Sequence, residues 1–149
     1  DNPKAASLVA AASKGITTIY YVTYPLLVAF LVLTANPLVW KAVLFPAAGF
    51  VLVSALRRII NRPRPYEAFG CPSVIPKDTK GKSFPSRHAY SAFAIALTFC
   101  AWCAPAGVIM VLLSCCMAAV RVIGGVHYPS DVAAGAALGI AFGALEILL

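Results

Sequence analysis

The chain contains only two histidines, and each lies in a short polar cluster beside an apolar run. His88 closes the segment Phe84-Pro85-Ser86-Arg87-His88. His127 stands in RVIGGVHYPSD, the stretch from Arg121 to Asp131. A third cluster, RRIINRPRP, runs from Arg57 to Pro65. Together they supply several arginines, two histidines, a serine and an aspartate. That inventory suits phosphoryl transfer, where positive charge must surround three equatorial oxygens and the reacting groups must be held in place. Arginine fits the task because its planar fork binds phosphate bidentately and keeps its charge. Ser86 precedes an apolar run and can cap a helix. The free N–H groups at such a helix start would point at an anion.

Such clusters need elements that bring them together, and the composition says where to look. Hydrophobic residues make up 61% of the 149 positions and charged residues 11%, against about 25% charged in ordinary soluble domains. This is the balance of a membrane protein. The net charge is +7, from twelve Lys+Arg against five Asp+Glu. With so little polar surface, the surplus points to anionic lipid or an anionic substrate, not to nucleic acid. A span needs about 20 mostly apolar residues. Residues 16–35 qualify, and Asn36-Pro37 breaks them. Residues 37–60 follow, with Lys41 near one end and Arg57 and Arg58 at the other. Residues 89–120 are uncharged and too long for one span, and Ala104 to Gly107 offers a turn. Two short antiparallel helices are expected there, at 87–103 and 105–122, ended by Gly124 and Gly125. The last helix begins near Pro129, a favoured first-turn residue, and runs to Leu149. Its Gly135, Gly139 and Gly143 form a ladder that admits a close neighbour. Residues 1–14 are expected to be an interfacial helix or the stub of a further span. Residues 61–86 are the one substantial loop. The expected fold is therefore a single all-α domain over 1–149, an integral-membrane helical bundle of five or six transmembrane helices. Crossing five times places Arg57, Arg64, Ser86, His88, Arg121, His127 and Asp131 at one membrane face.

The three clusters resemble the type 2 phosphatidic acid phosphatase family, which shares its site with vanadium haloperoxidases. The family motifs are K-x6-RP, PSGH and SR-x5-H-x3-D. Here Arg57 to Pro65 matches the first with Arg for Lys. Pro85 to His88 matches the second with Arg87 for Gly, and Val120 to Asp131 matches the third with Val for Ser. Spacing and order are kept. The resemblance implies that His127 is the nucleophile and forms a phosphohistidine. It implies that Asp131, four residues on, orients that imidazole and supports its positive charge. It makes His88 the general acid and then the general base. Arg57, Arg64, Arg121 and Ser86 would hold phosphate oxygens, and Arg87 would add a contact or alter the pocket. It implies no metal and no cofactor, because arginines supply the charge.

The expected function is a membrane-embedded phosphatase acting on a lipid phosphate or pyrophosphate, with phosphatidic acid, phosphatidylglycerol phosphate and undecaprenyl pyrophosphate as candidates. A phosphotransferase using the same intermediate and a non-catalytic lipid-phosphate binding protein are the alternatives. The second would be expected to lose a nucleophile or acid, and this chain keeps both. Small size and short loops suggest a bacterial cytoplasmic membrane. The resemblance faces the site outward, whereas basic loops favour the inside. Arg58 and Arg62 are expected to be snorkelling anchors at a helix end. Lys77, Lys80 and Lys82 are expected on a solvated loop face near anionic lipid. Cys100-x-x-Cys103 is half a metal motif at most. Membrane lipids and a lipid phosphate are the expected partners, and nothing in the sequence fixes an oligomeric state.

Overall fold

The computed structural model describes residues 3–149. It is an all-helical bundle: α1 (Pro3–Leu33), α2 (Leu38–Ile60), the short α3 (Pro65–Phe69), α4 (Arg87–Trp102), α5 (Ala104–Ile123) and α6 (Pro129–Leu148). Chain breaks fall at Asn36-Pro37, in the 61–86 loop, at Cys103 and at Gly124-Gly125. The Asn36 side chain accepts the Leu38 N–H and starts α2. Gly125 takes a φ of 70°, a left-handed conformation that costs glycine little.

Residues 3–14 differ from expectation. They are not an element of their own but the first part of α1, a helix of 31 residues. The physical reason is the absence of a breaker: the segment is rich in alanine, and the lone Gly15 costs only about 1 kcal/mol in a helix. At 1.5 Å per residue the rod is roughly 46 Å long, more than a hydrocarbon core of about 30 Å. The helix therefore tilts or projects beyond the bilayer. Asp1 and Asn2 lie outside the described residues.

Helices α1, α2, α5 and α6 are each long and apolar enough to cross a membrane. Helix α4, with 16 residues, is shorter and sits at the centre. It packs on α1, α2, α5 and α6 and buries Tyr90, Ala94, Ala96 and Thr98. The outside is apolar instead: Leu26, Leu33, Trp40, Val51, Ile109 and Leu112 are exposed, as lipid-facing positions should be. Pro46 in α2 has no N–H to give the carbonyl of Ala42. Tyr24 of α1 donates to that oxygen at 2.6 Å, so the proline's gap becomes an interhelical bond.

The glycine ladder of α6 faces α4. A Cβ on Gly135, Gly139 or Gly143 would lie 2.4 Å from the Ser86 carbonyl, 2.5 Å from the Tyr90 carbonyl and 2.3 Å from Leu97 Cβ respectively. Two of those obstacles are backbone, which cannot swing aside. Gly139→Ala should therefore destabilise the protein by about 1–3 kcal/mol, the cost of overpacking a dense core. A fall in the detergent thermal-unfolding midpoint checks it, and an unchanged midpoint would show that α4 and α6 can separate freely.

Candidate active site

The end of α2, the starts of α4 and α6 and the end of α5 meet at one face of the bundle. The Ser86 N–H donates to the Asp131 carbonyl at 2.8 Å and ties the start of α4 to the first turn of α6. Arg57, buried in the last turn of α2, donates to the carbonyls of Ser83 (3.3 Å) and Pro85 (2.8 Å). Arg64 donates through Nε to Gly81 (3.1 Å) and through Nη1 to Val126 (3.1 Å). These guanidiniums clamp all three clusters together before any substrate arrives.

The 61–86 loop has its own order. Glu67 in α3 accepts the backbone N–H of Arg64 at 2.8 Å and that of Gly81 at 2.8 Å and 3.0 Å. The Tyr66 hydroxyl donates to the Thr79 carbonyl at 2.5 Å. The loop is thereby folded back over the bundle end, carrying Lys77 with it.

Asp131 is fully buried and saturated. It accepts from Arg62 at 2.8 Å, from the Ser83 hydroxyl at 2.5 Å and from the Tyr128 backbone N–H at 3.0 Å. The last bond also caps α6, so one carboxylate starts the helix and holds the site. His127 turns its Nδ1 toward this group, 3.6 Å from Asp131 Oδ2 and 3.4 Å from Ser83 Oγ. Because Ser83 gives its own proton to Asp131, its oxygen accepts from His127 Nδ1–H. This tautomer leaves the lone pair on Nε2, across the ring. Burial pushes the His127 pKa down to about 4; the Arg64 and Arg57 charges push the same way and Asp131 opposes them. The ring is neutral at pH 7.

His127 borders a cleft of about 590 Å³ with His88, Arg57, Arg64, Arg87 and Lys77. Phe50, Arg87 and His88 also border a second, mostly apolar cavity of about 460 Å³ between α1 and α4, walled by Tyr20, Tyr24, Ile95 and Met117. The polar cleft and the apolar cavity thus meet at His88. Arg121 is buried just behind, close enough to act on His88 electrostatically. Its Nε is buried without a hydrogen-bond partner.

The structure thus brings His88, His127, Arg57, Arg64 and Arg87 to one cleft and keeps Asp131 and Arg121 immediately behind it. Ser86 does not border the cleft: it is fully buried, and its hydroxyl accepts the Ala89 N–H at 3.4 Å as the cap of α4. Two expectations need correcting. Arg62 is no snorkelling anchor; it pairs with Asp131 and lies 4.0 Å over the Tyr128 ring. Lys77 is not on a solvated face but half-buried in the cleft, whereas Lys80 is exposed. Ser83 was missed because nothing local distinguishes it from other loop serines. Cys100 packs where a Cβ on Gly107 would strike its sulfur, and all five cysteines are free. No group of three or more His, Cys, Asp or Glu side chains suited to a metal forms among the described residues.

Comparison with known proteins bears on the family and the fold. Over 92 residues, 60% of this chain, the sequence is 42% identical to the decaprenylphosphoryl-5-phosphoribose phosphatase of two strains of Mycobacterium tuberculosis. The match covers 49% of those proteins, so the chain spans about half the length of the curated relatives it matches. The crystal structure of Aquifex aeolicus LpxE superimposes with a TM-score of 0.79 at 27% identity, covering 100% of this chain and 88% of that one. Residues 38–149, which hold every cleft residue described above, match the PAP2 superfamily, and the chain belongs to it.

Proposed function

We propose that the chain is an integral-membrane phosphatase that removes the terminal phosphate of a lipid phosphate or diphosphate through a phosphohistidine on His127. The observation behind this reading is that two histidines border one cationic cleft while Ser83 and Asp131 hold one of them from the rear. In the first step the Nε2 lone pair of His127 attacks phosphorus. The bond from phosphorus to the leaving oxygen breaks, and His88 gives that oxygen a proton. A phosphate dianion in the cleft favours the protonated form of His88 that this requires. The phosphorylated imidazole keeps Nδ1–H and gains positive charge, which Asp131 offsets through Ser83. In the second step His88 takes a proton from water, the oxygen attacks phosphorus, and the P–N bond breaks to release inorganic phosphate. Arg57, Arg64, Arg87 and Arg121 supply the positive charge that the phosphoryl oxygens need.

The apolar cavity meeting the cleft at His88 suits the proximal part of a lipid tail, with the remainder in the bilayer. The Mycobacterium relatives are named for a decaprenyl-linked phosphoribose, which supports a lipid-tethered phosphate here. Phosphatidic acid, phosphatidylglycerol phosphate and undecaprenyl diphosphate are the substrates we favour. We place the cleft on the outer face of a bacterial cytoplasmic membrane, because the arginines that would count toward an inward orientation are accounted for by the cleft.

The direct test uses the full chain in neutral detergent with a chelator present. Phosphate should be released from at least one of those three lipids. Quenching during turnover should trap an acid-labile phosphoryl label on His127. Release from none of them, or a label elsewhere on the chain, would overturn the reading.

A further inference from the structure

The cleft holds more positive charge than one phosphate needs. Its walls carry Arg57, Arg58, Arg64, Arg87, Lys77 and Lys82, and among the described residues no Asp or Glu lines it. Arg57 and Arg64 are hydrogen-bonded to carbonyls, which position a charge without cancelling it. A phosphomonoester brings at most two negative charges. Asp131, packed behind His127, is already engaged by Arg62.

The position of the excess is informative. Lys77 comes from the ordered loop rather than from a helix end. With Arg121 and Arg87, it is among the cations acting on His88. His88 stands on the leaving-group side of the scissile bond if His127 attacks from the other, so this inference rests on the function proposed above. Lys77 is half-buried. The charged groups acting most strongly on its ammonium are cations: Arg64, Arg121, Arg57 and Arg87. Burial first, and those arginines next, push its pKa down to about 8. A lysine held at such a cost, in a cleft whose described lining supplies cations and no carboxylate, is complementary to an anion that arrives from outside.

We propose that Lys77 is a specificity-determining residue that binds a second phosphate carried by the leaving group. The terminal phosphoryl group passes to His127, and the bridging oxygen takes the proton of His88. The group that departs still bears its own phosphate, against Lys77. The substrates favoured are therefore lipid diphosphates, or phosphomonoesters whose leaving alcohol contains a phosphodiester. A phosphate ester of a neutral lipid alcohol gains nothing from Lys77.

Two matched pairs test this in neutral detergent without anionic lipid. Farnesyl diphosphate and farnesyl phosphate share a tail, but only the first has a charged leaving group. Dioleoyl phosphatidylglycerol phosphate and dioleoyl phosphatidic acid differ in the same way. For Lys77→Ala, the loss in kcat/KM on the charged-leaving member should exceed the loss on its partner by about ten- to a hundredfold, the scale of leaving one member of a desolvated charge pair alone. Lys77→Arg should restore most of the difference. A differential confined to the farnesyl pair assigns the second phosphate to the anhydride. One confined to the glycerolipid pair assigns it to the phosphodiester. Equal losses within both pairs, or no loss, would overturn the role of Lys77 while leaving the phosphatase reading intact. A wild-type protein inert toward all four compounds and toward undecaprenyl diphosphate would overturn both.

Discussion

The His127→Ala variant should release phosphate from lipid substrates at least roughly 10⁴-fold more slowly than the wild type, the scale seen when the nucleophile of a covalent mechanism is deleted. It should also form no acid-labile phosphoenzyme. The expectation rests on geometry. Nδ1 of His127 is committed to Ser83 at 3.4 Å and lies 3.6 Å from Asp131, so only Nε2 is free to meet phosphorus. No second imidazole can take over, because His88 is the other histidine of the chain and lies across the cleft wall. The fold should survive, since Arg57 and Arg64 clamp the loop without help from His127. A thermal-unfolding midpoint near that of the wild type would separate lost chemistry from lost structure. The same geometry sets a pH expectation. In the proposed mechanism the nucleophile is the neutral ring, and burial in a cationic site pushes its pKa down to about 4. The rate of phosphoenzyme formation attributable to His127 should persist as pH falls through the ordinary histidine range and fail only near pH 4. Loss of phosphoenzyme formation near pH 6.5 would mean a solvated ring. Undiminished turnover by His127→Ala would remove the nucleophile assignment altogether.

What the sequence made legible follows from how local each signal is. Helix ends were readable because Asn36-Pro37 and Gly124-Gly125 break the backbone wherever they occur. The three polar clusters were readable because each is a short stretch of fixed spacing at the end of an apolar run. Their meeting at one face then follows from counting crossings. The extension of α1 through residues 3–14 was not, because Lys4 and Lys14 look like boundary markers and only tertiary placement shows the helix running through them. Ser83, Arg62 and Lys77 were hidden for a different reason. They owe their roles to the 61–86 loop, whose path is set by Glu67 to Gly81 and Tyr66 to Thr79, contacts with no periodicity to read. Ser86 carries two expectations, a phosphate ligand and a helix cap, and its hydroxyl is the cap that starts α4. The two readings are compatible in effect, because the cap fixes where His88, two residues on, enters the cleft.

The His88→Ala variant should behave differently from His127→Ala, and the difference depends on the leaving group. With a lipid phosphate, the departing alkoxide needs a proton at the moment the P–O bond breaks. Loss of the general acid should cost about 10²–10⁴-fold. With p-nitrophenyl phosphate the leaving phenolate needs no proton, so His127 can still be phosphorylated. In the proposed mechanism His88 is also the base for the second step, and without it water should attack the phosphohistidine slowly. The variant should therefore give a burst of nitrophenolate equal to the enzyme present, followed by near arrest with labelled His127 accumulating. Among the described residues bordering the cleft, no other group stands ready to replace it. Lys77 and the arginines bordering the cleft are cationic at neutral pH and cannot accept a proton from water, and Asp131 is enclosed behind His127. A burst with stalled phosphoenzyme separates an acid–base role from a role in binding alone. Equal losses on both substrates, with no phosphoenzyme on either, would mean that His88 only shapes the pocket, and the proton would have to come from water entering where the polar cleft meets the apolar cavity.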